Sequence, residues 1–138
     1  MILHQETLTF ATTGKGFVDV SAAVRAVVRA SGAVRGLCVV FVQHTSASLI
    51  IQENADPAVR RDLEGFADRL APESFAWEHA DEGPDDMPAH VRCAVTRTAE
   101  TLPIVDGDLG LGTWQALYLW EHRSVPHTRR LVVTVTGE

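Results

Sequence analysis

The sequence predicts an α+β fold, with mixed or antiparallel β-sheets and about three short helices. Three observations lead there. Several segments alternate apolar and polar residues or run β-branched, as strands do. Three others carry helical spacing next to a capping signal. The two kinds do not alternate regularly, as a doubly wound parallel sheet would require. The 138 residues contain no linker, repeat or low-complexity tract, so they read as one domain, 1–138, large enough to bury a core without disulfide or metal staples.

Each element has its own signal. Residues 3–11 alternate and form a strand closed by a turn at Gly14-Lys15-Gly16. From Ser21 to Ser31 the spacing is helical, with Ala23, Val24, Val27 and Val28 on one face and Gly32 as the C-cap. Residues 36–43 are apolar on both faces, which predicts a central strand, and a second strand follows at 47–52. Asp56-Pro57 supplies an N-cap and a first-turn proline, and Val59, Leu63, Phe66 and Leu70 then recur with helical spacing. Residues 71–86 are a long loop with six acidic side chains. Asp86 caps a short helix reaching about Thr98, with Val91, Ala94 and Val95 inward. Thr101–Val105, the turn Asp106-Gly107-Asp108 and Leu111–His122 predict a hairpin, and Arg129–Thr136 a last strand. Trp114, Tyr118 and Trp120 share one strand face as packing residues. Thr113, Gln115 and Glu121 fall on the other, where polar groups need partners.

Composition excludes several classes. The hydrophobic share of 46% and the charged share of 22% are those of a soluble globular protein. A net charge of −6 argues against nucleic-acid binding, which needs a basic face for phosphates. No apolar run approaches a membrane span and no signal peptide opens the chain, so the expected location is cytoplasmic. Cys38 and Cys93 lie in apolar stretches without a CxxC and read as reduced, buried thiols.

The polar residues at element ends carry the chemistry. His44 stands where a buried strand leaves the core. His79, Glu82, Asp85, Asp86 and His90 follow one another around the acidic loop. His44, His79 and His90 together predict a three-imidazole metal site with a coordination position left open, the carboxylates orienting ligands or acting as a base. The competing reading is a set of separately hydrogen-bonded histidines beside a solvated acidic loop. Ser46 and Ser48 near His44 lack a nucleophile elbow, so they read as hydroxyls satisfying backbone at a strand irregularity. Thr45 and Ser46 with Arg123, Arg129 or Arg130 are also groups that hold a phosphorylated or other small anion.

Five stretches, "QHTSASL", "ENADPAVRRDLEGF", "EHADEGPDDMPAH", "GTWQALYLWEHR" and "RRLVVTVTGE", are similar to the YjbQ family, also called secondary thiamine-phosphate synthases. The resemblance runs along essentially the whole chain. It implies an α+β homotrimer with polar residues lining clefts near subunit contacts, and a reaction joining hydroxymethylpyrimidine diphosphate to a thiazole phosphate with loss of pyrophosphate. Carried onto this sequence, it points to His44, Thr45, Ser46, Asn54, Asp56, His79, Glu82, Asp86, His90, Thr113, Gln115 and Glu121. The expected roles are catalytic for His44, Glu82, Asp86 and Glu121. Substrate binding falls to Thr45, Ser46, Asn54, Thr113, Gln115 and Arg123. A divalent ion (zinc, nickel, iron, manganese or magnesium) falls to His44, His79 and His90. The alternatives are a metal-dependent hydrolase, with Glu82 or Glu121 as base, and a non-catalytic trimer that binds an anion or metal. The chain departs from the family pattern at Arg97 and Glu100, where a glycine and a hydroxyl are common, and at Trp77, where a tyrosine is common.

Overall fold

A computed structural model describes residues 1–138 as eight strands and three helices in the order β1 (Ile2–Ala11), β2 (Gly16–Asp19), α1 (Ser21–Ser31), β3 (Gly36–Val42), β4 (Ala47–Glu53), α2 (Pro57–Leu70), α3 (Asp86–Val95), β5 (Ala99–Val105), β6 (Asp108–Leu109), β7 (Gln115–Glu121) and β8 (Thr128–Gly137). The strands make two antiparallel sheets, β1-β8-β3-β5-β6 and β2-β7-β4. The α+β expectation holds.

Both sheets and α1 share one core. Val24, Val27 and Val28 of α1 meet Val40, Leu131, Val133 and Val135 of the larger sheet and Leu49, Leu117 and Leu119 of the smaller one. The α1 boundaries fall where the sequence puts them, and Gly32 ends the helix in the left-handed conformation at φ 74°. The Asp56 carboxylate accepts the Ala58 N–H at 2.9 Å behind Pro57, as expected of the α2 start.

Four expectations are corrected. The glycine-flanked turn near residue 15 runs on into the short strand β2, which pairs with β7 from Gly16↔Glu121 to Asp19↔Tyr118. The hairpin after β5 is much shorter than predicted. Asp106 (φ 50°) and Gly107 (φ 81°) make its turn, but only Asp108 and Leu109 return beside β5. β7 instead crosses to the second sheet, where β2 and β4 flank it. Ala116 to Trp120 are buried on both faces there, so this strand needs a neighbour on each side.

The other two concern the inward face of α3 and Trp114. In α2 only Ala67 is buried, and Phe66 is 58% exposed. In α3 the buried positions are Asp86, Pro88, Ala89 and Arg92, whereas Ala94 and Val95 face outward. Arg92 ties the two helices together: its Nη1 donates to Glu64 and its Nη2 to Asp68. Tyr118 and Trp120 pack as predicted, edge-on and stacked against Phe17, whereas Trp114 is exposed just before β7.

Candidate metal centre

The first two turns of α3 carry the most concentrated chemistry. Asp86 and His90 are four residues apart on that helix, so their side chains lie on one face. The preceding loop brings His79 over them. The ligand-capable atoms of His79, Asp86 and His90 all lie within 4.8 Å of one another. Asp86 Oδ2 stands 3.0 Å from His79 Nε2 and 3.2 Å from His90 Nε2, and the two rings meet edge to face. Asp86 is buried, while His79 is exposed and His90 half-buried, so the group opens to solvent on its imidazole side. Two imidazoles and one carboxylate suit zinc, iron, nickel or manganese. Glu82 Oε2 is 3.6 Å from His79 Nε2, at the mouth.

A cleft of about 390 Å³ adjoins His79, lined by Glu73, Phe75, Trp77, Pro84 and Met87 among others. Phe75 and Trp77 pack at 4.4 Å, and Trp77 Nε1 donates to the Pro72 carbonyl at 3.1 Å, which fixes the indole. The floor beneath Asp86 belongs to Arg123, whose guanidinium lies between Asp85 and Asp86. Burial alone would raise the Asp85 carboxyl, but the Ser124 N–H and Arg123 outweigh it and bring it down to about 2.

His44 does not join this group within one chain. The third partner of His79 and His90 is Asp86, and His44 Nε2 instead accepts the Arg130 N–H at 2.8 Å, close to where β8 begins. Partial burial, then the charges of Arg129 and Arg130, hold its imidazole below the ordinary value. The sequence could not anticipate this, because β3 ends against β8 and not against α3.

Glu121 is no free base. It is fully buried and accepts from Thr12 Oγ1 at 2.6 Å, Arg129 Nε at 2.8 Å, Arg129 Nη2, and the His122 and Arg123 N–H groups. Burial would raise its carboxyl, but the Arg129 and Thr12 bonds outweigh that and lower it. Ser46 is likewise committed, its hydroxyl and carbonyl both accepting from Arg129. Thr45 is exposed next to it. Asn54, Thr113 and Gln115 gather elsewhere. Asn54 Nδ2 donates to the carbonyls of Thr113 and Gln115, and Gln115 Oε1 accepts the Gly112 N–H. That cluster sits at the Gln115 end of β7, opposite the Glu121 end, about 20 Å away at ~3.4 Å per residue. The expected substrate residues therefore form two groups.

A family model described as UPF0047 protein YjbQ-like matches residues 6–138. The chain belongs to the YjbQ/UPF0047 family. A UPF0047 protein of Synechocystis is 57% identical over 136 residues, covering 98% of this chain and 92% of its own. The YjbQ protein of Escherichia coli O157:H7 is 40% identical, with 98% and 99% covered. The crystal structure of an uncharacterised YjbQ/UPF0047 protein from Clostridium acetobutylicum superposes with a TM-score of 0.85 at 31% identity, covering 96% and 98%.

Other polar residues of this YjbQ-family chain were not anticipated. Arg92 was hidden among apolar neighbours, although Glu64 and Asp68, four apart on α2, are the signature of a shared cation. His122 is buried behind Trp120, its Nε2 2.8 Å from Ser48 Oγ. Burial, then the charge of Arg92, pushes its imidazole down to about 3, so it is neutral at pH 7. No helix is long and apolar enough to cross a membrane.

Proposed function

We propose that this protein is a metal-assisted enzyme that holds one divalent ion on His79, Asp86 and His90 and acts on a small phosphorylated ligand. The convergence of two imidazoles and a buried carboxylate at an open mouth carries the reading. A divalent ion there would neutralise charge on a phosphate leaving group or polarise its oxygens. The Phe75–Trp77 pair beside His79 offers a surface on which a flat ring can stack. Those are the needs of thiamine-phosphate formation, the reaction that the family resemblance implies. The thiazole nitrogen bonds to the pyrimidine methylene as the methylene–oxygen bond to pyrophosphate breaks. The chain's own residues would hold the pyrimidine against Trp77 and shield the reacting carbon from water.

The acidic mouth favours a second reading. Glu82, exposed beside His79, is placed to take a proton from a water, which is hydrolase chemistry. Glu121 drops out of that role because all its acceptor positions are occupied. We read the working form as a homotrimer, supported by the apolar side chains left outside: Phe66, Leu70 and Val95 around one groove, and Leu3, Leu37 and Phe41 on the outer face of the larger sheet.

Pyrophosphate release from hydroxymethylpyrimidine diphosphate with thiazole phosphate tests the reading. Turnover by the metal-loaded protein and its loss in His79→Ala and His90→Ala are expected. Phosphate release from the diphosphate alone would favour the hydrolase. Metal binding with turnover in neither assay would leave the non-catalytic binding protein.

A further inference from the structure

Arg123 was expected to meet a ligand phosphate, but its surroundings assign it elsewhere. Nε donates to Asp85 Oδ2 at 3.1 Å and Nη2 to Asp85 Oδ1 at 3.4 Å, a two-pronged pairing of guanidinium with carboxylate. Nη1 donates to Asp86 Oδ1 at 2.8 Å, and Nη2 also donates to the Glu82 carbonyl at 2.7 Å. Every guanidinium nitrogen thus has an acceptor. Asp85 is anchored in turn by the Ser124 N–H at 2.8 Å. The loop closes tightly around this group. Gly83 has φ +102°, and a Cβ there would stand 3.2 Å from Asp85 Oδ1 and 3.6 Å from Arg123 Nη2.

The consequence falls on Asp86, whose two oxygens have separate partners. Oδ1 is held by Arg123, and Oδ2 faces His79 and His90. An aspartate carboxylate rotates easily about its last torsion, and pinning one oxygen stops that rotation. We propose that Arg123 is a positioning residue for the metal centre. It fixes the Asp86 carboxylate so that one oxygen serves the ion, and Asp85 and Gly83 keep Arg123 in register. The inference rests on the metal reading above and specifies how its carboxylate is aimed. Residues that orient metal ligands typically contribute about 10- to 100-fold in metal affinity. Lysine cannot substitute, because a point charge on a flexible stem does not span Asp85 and Asp86 together.

The test is Zn²⁺ affinity by competition with a chromophoric chelator, paired with the visible spectrum of the Co²⁺ form, on wild type, Arg123→Met, Arg123→Lys and Gly83→Ala. Far-UV circular dichroism of the metal-free proteins establishes that each is folded. Zn²⁺ affinity should fall about 10- to 100-fold in both Arg123 variants. The Co²⁺ bands should move as the carboxylate changes its attachment. Should the Arg123 variants not fold, Gly83→Ala carries the test, since it keeps every clamp side chain and strains only the loop; several-fold weaker Zn²⁺ binding is expected. Wild-type affinity and an unchanged Co²⁺ spectrum in the folded variants would overturn the inference while leaving the metal centre standing. Failure of wild type itself to bind Zn²⁺ or Co²⁺ would overturn the metal reading, and the positioning role with it.

Discussion

Arg129→Met breaks the most deeply buried ion pair in the fold. The substitution keeps much of the side-chain volume but removes the cation facing Glu121, whose side chain has no solvent exposure. Glu121 would keep Thr12 and two backbone N–H groups, which do not neutralise a buried charge. Removing one partner of a buried ion pair costs about 3–5 kcal/mol. At about 2.1 cal/mol/K per residue, the unfolding entropy of a chain this long is roughly 0.29 kcal/mol/K, so the midpoint should drop by roughly 10–17 °C. The pH dependence supplies a second readout. The Glu121 carboxyl lies below its ordinary value in the wild type, so the pair's contribution is complete above about pH 4.3 and is lost as pH falls through the folded value. In the variant that carboxyl titrates higher, and protonation relieves the uncompensated charge. The gap between the proteins should therefore narrow between about pH 7 and pH 4. Urea unfolding followed by tryptophan fluorescence at both pH values measures it. A loss below about 1 kcal/mol at pH 7, or a gap that does not narrow, would refute the reasoning.

Three other outcomes are expected. His79→Ala and His90→Ala should each reduce bound divalent metal, measured by elemental analysis after dialysis, with thermal midpoints near wild type because neither ring is buried. His122→Phe should flatten the stability–pH profile. Burial holds the folded imidazole at about 3, so the wild type loses stability as pH falls from about 6.5 towards that value, and denaturant titrations across the window should show a shallower slope in the variant, the remainder coming from groups such as Glu121 and Asp85. Phe66→Glu with Val95→Glu should lower the mass found by light scattering if the α2–α3 groove seats another copy; an unchanged assembly would remove that groove from the contact.

Local signals survived the passage from sequence to structure where they were self-contained. The valine stripe of α1 needs only its own helix to be read, and Asp56-Pro57 needs only the next turn. β2 was missed because four residues behind two glycines are too few to show alternation. The β5 hairpin was overextended because the turn was legible while its partner strand was set by a distant sheet. Ala94 and Val95 of α3 face outward against expectation because apolar spacing says which residues share a face, not whether the chain itself covers that face. The candidate site divides the same way. Asp86 and His90 at helical spacing, with His79 close in sequence, were within local reach. The separation of His44 from them depends on β3 ending beside β8, and the engagement of Arg123 and Glu121 depends on contacts across 37 and 109 positions.

β7 carries polar groups at both ends, and its length has a consequence for genetics. Asn54, Thr113 and Gln115 lie a strand length away from Glu121 and Arg123, too far apart for one small ligand to touch both groups in one polypeptide. In an assembly such as the trimer proposed above, the opposite ends of neighbouring copies could meet around a shared ligand. A protein built so would show complementation between defective parents. Subunits damaged at His79, mixed with subunits damaged at Gln115, would recover about one quarter of wild-type turnover in a random equal mixture, because each composite pocket draws one wall from each neighbour. Subunits carrying both lesions on one chain, mixed with wild type in the same proportion, would give about one quarter of pockets from two intact walls and none from the doubly damaged pairs.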